Sequence, residues 1–367
     1  MSADPALRRN GVVPQTIADR SGRGTLERLP KWVNCIPLAV QWAWLAWRFR
    51  SATLPSAANP GITSGGLVGE GKLAYFSRMG PAARAATARY VGLQNLPGLS
   101  DDGLLTHLAT ANIDFPLIAK PDLGLCGYGV RRIDSLEQLR AYLVAFPLYE
   151  TVVLQTYMAQ EGEAGIFYAR NPDTGQASLI GLALRYFPRV IGDGRHSVGE
   201  LIRVDGRAVK LVGSRQHECA HDMTSVPAAG EVVRLSTVGS TRVGGMYCDG
   251  GVHITPALFA SIDSIARDMP EFYCGRFDVR FNTLAELAAG HGFTIIEVNG
   301  AGSESIQAWD PRYGLIAAYR IIFAKQRTLF EIGAANRRKG VRPIGLLNLG
   351  QLFWRQQRLI DRYPPSN

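Results

Sequence analysis

Apolar and polar residues alternate most regularly between Gly275 and Gly300. Gly275-Arg276-Phe277-Asp278-Val279-Arg280-Phe281 reads as one strand, with Arg276, Asp278 and Arg280 on one face. Phe293-Thr294-Ile295-Ile296-Glu297-Val298-Asn299 reads as a second. Strict alternation there puts Phe293, Ile295, Glu297 and Asn299 on one face and Thr294, Ile296 and Val298 on the other. Paired as a hairpin, the two strands would bring Asp278, Glu297 and Asn299 together beside an arginine.

The same reading gives further strands over 115–120, 130–133, 151–157, 164–170 and 179–186. Helical periodicity marks the stretches from Lys72 through Met79, Gly103 to Asn112, Leu136 to Val144, Thr255 to Asp268 and Tyr313 to Phe330, with Ser135 as the cap of the third. A further helix is expected from Ser197. Residues 203–245 are polar and give no clear period. Glycine and proline turns separate the elements, as at Asn171-Pro172-Asp173-Thr174-Gly175 and Gly192-Asp193-Gly194. No internal repeat is present.

At 367 residues, 46% hydrophobic and 19% charged, the chain is long enough for two folded lobes. Its net charge of +9 sits at the ends: residues 1–50 carry +5 and residues 336–367 carry +6, leaving −2 between them. That suits an anionic surface, a partner or an acidic substrate, and no nucleic-acid module is recognisable. Five cysteines without a Cys-x-x-Cys pair fit a reducing cytoplasm. No secretory signal or bilayer-length apolar run is evident. Residues 1–28 are polar and are expected to be mobile. Four of the six tryptophans lie between Trp32 and Trp47, in a helix expected from Pro37 to about Phe49. Its apolar residues encircle the axis, which favours burial in the core or against a second subunit. Tryptophan with arginine also suits peripheral contact with the inner face of a membrane.

Three constellations carry chemistry. Lys120 ends a strand and opens a loop with Gly124, Gly127 and Gly129, a combination that brings an ammonium and backbone N–H groups to polyphosphate or is an ordinary turn. It is neither a Walker loop nor a dinucleotide fingerprint. The strand ending at Gln155-Thr156-Tyr157-Met158 has the form of an inter-lobe hinge, with backbone for an adenine edge and Glu163 for ribose hydroxyls, or of a hairpin with exposed acids. Asp278, Glu297 and Asn299 are hard oxygen donors suited to Mg²⁺, or else incidental acids on a solvated face.

In this order the chain resembles the ATP-grasp superfamily, and within it carboxylate–amine ligases such as D-alanine–D-alanine ligases and the ligase region of cyanophycin synthetases. Lys120-Pro121 is similar to the family's strand-ending lysine, and Lys72, 48 positions earlier, to its first nucleotide-binding lysine. Glu163 resembles the ribose-binding glutamate, and Arg276 with Asp278, Glu297 and Asn299 resembles the catalytic arginine and metal ligands. Val190 to Ile202 is similar to a cyanophycin synthetase segment. The resemblance covers about Lys72 to Phe330. It implies an α/β (α+β) ATP-grasp fold, two lobes whose antiparallel sheets clamp ATP, with a reduced N-terminal lobe. It also implies ATP and Mg²⁺ as cofactors and small-molecule carboxylate and amine (or thiol) substrates joined through an acylphosphate. Arg276 would stabilise the oxyanion or merely pair with Asp278. Arg242 would meet a substrate carboxylate or phosphate, or sit in a plain loop. Ser303 and Glu304 would contact the amine. Two features depart from the pattern: little chain precedes Lys72, and Gln155 stands where relatives often carry an acid.

The expected organisation is an arm with a Trp-rich helix (1–55), two lobes (56–155 and 156–335) and a basic tail (336–367). A phosphotransferase on the same fold, or a nucleotide-binding membrane-associated module without turnover, would share these residues. His217-Glu218-Cys219-Ala220-His221 formally fits the zinc-protease motif, but its flanks give no amphipathic helix, and a lid segment is the competing reading.

Overall fold

The computed structural model describes residues 23–212, 216–219 and 221–367. The arm as far as residue 22, and Ser214, Arg215 and Ala220 of the histidine segment, lie outside the described residues.

Eleven α-helices and eleven strands are found among the described residues. The helices are α1 (Thr25–Arg28), α2 (Lys31–Phe49), α3 (Lys72–Phe76), α4 (Pro81–Ala85), α5 (Asp101–Thr110), α6 (Leu136–Ala145), α7 (Val198–Val204), α8 (Pro256–Arg267), α9 (Leu284–Ala288), α10 (Leu315–Arg338) and α11 (Leu346–Ile360). The strands are β1 (Tyr90–Gln94), β2 (Leu117–Pro121), β3 (Arg131–Ile133), β4 (Thr151–Thr156), β5 (Gly162–Arg170), β6 (Ala177–Tyr186), β7 (Arg189–Ile191), β8 (Val232–Arg234), β9 (Met246–Asp249), β10 (Cys274–Phe281) and β11 (Phe293–Asn299).

Two antiparallel sheets dominate. The first has four strands in the order β1-β4-β2-β3, and the second has five in the order β11-β10-β5-β6-β9. Leu104 and Leu108 of α5 and Leu139 and Leu143 of α6 bury against Leu117, Val152 and Leu154 of the first sheet. Ser100 and Ser135 cap these helices by accepting from the backbone N–H of Gly103 and Gln138. The second sheet buries Phe277, Val279 and Phe281 against Leu258, Ile262 and Ile265 of α8 and Tyr75 and Phe76 of α3. A small antiparallel β7–β8 pair with α7 forms a third cluster around Ile202 and Leu235. The chain is thus a mixed helical and antiparallel-sheet protein, and its two sheets meet where the candidate site lies.

Three sequence expectations change. Helix α2 starts at Lys31, one and a half turns before Pro37, which lies inside it. The tail past residue 336 folds back as α11, whose Leu359 and Ile360 join the core of the first sheet. Ile295 and Glu297 do not share a face. A bulge pairs Asp278 with Glu297 but Val279 with Ile295, so Ile296 has no ladder partner. Ile295 therefore turns into the core with Val298, while Glu297 and Asn299 face away from it.

Candidate active site

The polar face of the second sheet is built by register. Antiparallel partners stand on the same face, so Asp278 lies opposite Glu297 on one side and Gly165 on the other, and Arg276 lies opposite Asn299. Glu163 pairs with Arg280 and with Arg185 in the same way. Gly165 leaves the space that the neighbouring strand needs: a Cβ there would lie 2.9 Å from Arg276 Cδ and 3.2 Å from Asp278 Oδ1.

These charges are paired with each other. Arg276 donates to both oxygens of Asp278, from Nε at 2.5 Å and from Nη2 at 2.9 Å. Arg185 Nη1 lies 2.9 Å from Glu163 Oε1 and 3.1 Å from Asp278 Oδ2. Arg280 Nε lies 3.1 Å from the other oxygen of Glu163. Asn299 Nδ2 stands 3.3 Å from Asp278 Oδ2. Asp278 and Glu163 are buried. Burial pushes the Glu297 carboxyl up, but Lys72, Lys120, Arg276 and Arg185 outweigh it and hold the group below the ordinary carboxylate range.

Both lysines reach this face from outside the second sheet. Lys120, at the end of β2, donates to Gln155 Oε1 at 2.7 Å and to the carbonyl of Ile296 at 2.8 Å. Burial pushes its ammonium down to about 8, against the pull of Glu297. Lys72 begins α3 and lies 3.4 Å from Glu297. That helix has no side-chain cap of its own; Asp122 of the glycine loop supplies one, accepting from Leu73 N at 2.8 Å, while its carbonyl accepts from Lys72 N at 3.1 Å. A Cβ at Gly124 would stand 2.8 Å from Lys72 Nζ, so the glycine keeps the loop open to that ammonium. Gly127 and Gly129 have φ of +74° and +70°, the left-handed region in which glycine is unstrained.

Other expected residues are placed differently. The Gln155 backbone lies in the ladder with Tyr90 and Ile118, and its side chain holds Lys120. Thr156 N donates to Arg89 O, so its N–H is already used. Tyr157 lies under the Arg132 guanidinium, 4.6 Å from its ring centre, and Met158 follows it, half-buried. Glu163 is held between two arginines, so a ribose would have to displace one of them. Arg242 donates to the Gly127 carbonyl at 3.3 Å and to Ser366 Oγ at 2.9 Å, and lies over the Tyr128 ring. The Ser303 hydroxyl donates to Gly300 O, and Glu304 offers its carbonyl to Arg276 at 3.4 Å.

His217 and His221 do not share a helix. His217 is buried with Nδ1 2.9 Å from Ser366 Oγ, and burial, then the Arg242 charge, pushes its pKa down to about 4. Its segment adds to the C-terminal residues, with Glu218 N donating to Ser366 O. Among the described residues no group of three or more His, Cys, Asp or Glu could hold a metal.

Three functional candidates escaped the sequence reading. Arg185 interrupts an apolar strand, Leu182-Ala183-Leu184, and an arginine in such a run was the available signal. Lys325 lies buried in α10 and donates to Ala301 O at 3.1 Å; burial pushes it down to about 8. Glu70 is pushed up to about 7 by burial, an effect with no trace in sequence.

No protein-family model matches the chain, and no curated protein matches it. Solved structures similar to it include a D-alanine–D-alanine ligase from Bacillus anthracis, at 13% identity and a TM-score of 0.41, covering 76% of this chain and 72% of that one. A bifunctional glutathione synthetase from Pasteurella multocida matches at 17% identity and a TM-score of 0.35 over 66% of this chain. An ADP complex of N5-carboxyaminoimidazole ribonucleotide synthetase matches at 12% and 0.35 over 68%. The chain spans 35% of the glutathione synthetase and 48% of the carboxyaminoimidazole enzyme. Likeness at this level carries no argument by itself, and the functional reading rests on the residues of the chain.

Proposed function

We propose that the chain is an ATP-grasp ligase that joins a small carboxylate to an amine at the expense of ATP. The observation that supports this most is the junction of the two sheets. Lys120 of one sheet and Lys72 of α3 converge on the face of the other that carries Asp278, Glu297, Asn299, Arg276 and Arg185. Cations from β2 and α3 over the acids of the second sheet form a place for polyphosphate, with the acids turned toward it.

In this reading Lys72, Lys120 and the Gly124–Gly129 backbone bind the phosphates, the Gln155–Met158 segment borders the base, and Glu163 takes the ribose. Asp278, Glu297 and Asn299 fit Mg²⁺ as two carboxylates and an amide oxygen on one face. Arg276 and Arg185 hold Asp278 now, so its share in a metal would need those guanidiniums to turn to substrate. Bound there, Mg²⁺ would neutralise phosphate charge.

The substrate carboxylate attacks the γ-phosphorus, forming an acyl–oxygen–phosphorus bond and releasing ADP. The amine then attacks the acyl carbon, and phosphate leaves as the amine proton is lost. Arg276, freed from Asp278, donates to the oxyanion of that second step. Removing a donor of this kind costs about 3–4 kcal/mol in other enzymes.

A phosphate-release screen over carboxylate and amine pairs with Mg·ATP tests the reading. Turnover should require both substrates and vanish in Asp278→Asn and Glu297→Gln. Intact activity in those variants, or ADP release that never needs an amine, would reject the ligase.

A further inference from the structure

Helix α2 is apolar on its covered side and on its exposed side. Its inner side packs Leu45, Trp42, Ala46 and Phe49 against Phe330 and Ala334 of α10, and two inward polar side chains are hydrogen-bonded: Asn34 Nδ2 donates to Leu26 O and Gln41 Nε2 to Phe323 O, each at 2.8 Å. The opposite side carries Trp32, Ile36, Val40, Trp44 and Trp47, all exposed, with Trp32 at 69% and Trp47 at 78%. Ala39 and Ala43 lie exposed between them. At 3.6 residues per turn these positions span an arc of about 140° and a length of about 22 Å without one charged group. A surface helix ordinarily turns a polar side to water.

Cations mark both ends of this strip. Lys31 precedes it, and Arg48 and Arg50 follow, all exposed, with the Arg48 guanidinium 5.5 Å from the Trp44 ring centre. No acid occurs between Glu27 and Glu70. The neighbouring α10 adds exposed Arg320 and Arg327, against a single acid, Glu331. No helix among the described residues is long and apolar enough to cross a membrane.

We propose that the exposed face of α2 docks on an anionic lipid surface, lying in the headgroup plane with its tryptophans inserted. Charge complementarity selects this occupant over a second copy of the chain. Antiparallel pairing of two α2 helices would set Lys31 against Arg48 and Arg50, and parallel pairing would set each cation on itself. The strip offers no acid to either arrangement. Anionic headgroups neutralise both ends, while the rings take the interfacial depth they favour.

The test is flotation of the full chain with vesicles of phosphatidylcholine containing phosphatidylglycerol, and with vesicles of phosphatidylcholine alone. Binding should be about tenfold or more tighter to the anionic vesicles, and brominated lipid should quench the tryptophan fluorescence. Trp44→Glu with Trp47→Glu should abolish flotation. Arg48→Gln with Arg50→Gln should reduce the preference for phosphatidylglycerol, because Lys31, Arg320 and Arg327 remain. Circular dichroism and the urea midpoint should stay unchanged in both, because the altered side chains are exposed. Absence of flotation, equal binding to both vesicles, or a dimer in sedimentation that the tryptophan variant dissolves would overturn the proposal.

Discussion

Lys120 Nζ donates to the carbonyl of Ile296, the residue that the β11 bulge leaves without a ladder partner. The bulge does two things at once: it frees an acceptor for the lysine of the other sheet, and it turns Glu297 toward the same lysine's charge. Burial pushes Lys120 down to about 8 from its ordinary 10.5, so between those values the unfolded chain binds the proton that the folded chain has lost. Stability should therefore rise with pH from about 8 to about 10. Lys325, pushed down to about 8 in the same way, contributes over the same window, so the rise should shrink in Lys120→Met and disappear only when Lys325→Met is added, measured by urea unfolding across that range. Mg·ATP affinity should fall over the first part of the window, as the ammonium is lost.

Arg185 stands between Glu163 and Asp278, within 3.1 Å of each. Arg185→Met would leave two buried carboxylates short of a partner. Loss of one member of a buried pair costs about 3–5 kcal/mol, and a drop of that size is expected in the urea midpoint. An unchanged midpoint would mean that Arg276 and Arg280 suffice to compensate the two acids.

Gly165 faces Asp278 across the ladder. In Gly165→Ala the new Cβ would press on the Arg276 arm and the Asp278 carboxylate. Overpacking of this kind costs about 1 kcal/mol where a flexible side chain can yield. The geometry of the pair should suffer more than the fold, with turnover falling about tenfold, equivalent to about 1.4 kcal/mol in the barrier. Full turnover in the alanine variant would show that the Arg276–Asp278 arrangement is dispensable.

Asp122 ties the start of α3 to the glycine loop. Asp122→Ala should raise the KM for ATP by releasing Lys72, with a stability loss of about 1 kcal/mol for the missing cap. Asp122→Asn, which keeps an oxygen to accept from Leu73 N, should recover most of both. A KM that stays put in the alanine variant would separate Lys72 from nucleotide binding.

The histidine segment predicts a contrast between chelators. A zinc-selective chelator should leave turnover intact, because His217 is hydrogen-bonded to Ser366 and lies off any helix. EDTA should abolish turnover, and excess Mg²⁺ should restore it. Inhibition by the zinc chelator alone would reinstate the metalloprotease motif.

Period and punctuation alone located most of the strands and helices, because alternation and capping are local properties of the chain. The facing of Arg276 and Asp278 in β10 followed from period two. The same rule misplaced Ile295, since a bulge is set by the partner strand and leaves no local mark. The Trp-rich segment was legible as a helix, but its exposed face was not, because which side is covered depends on α10. Arg185 and Lys325 gained their settings from Asp278 and Ala301, 93 and 24 positions away along the chain, and Glu70 from burial. The sequence by itself determined the residue types that could hold phosphate and metal and the order in which they come. Tertiary structure decided which charges pair, which carbonyl is left free and which face stays bare, because burial and register depend on neighbours distant in sequence.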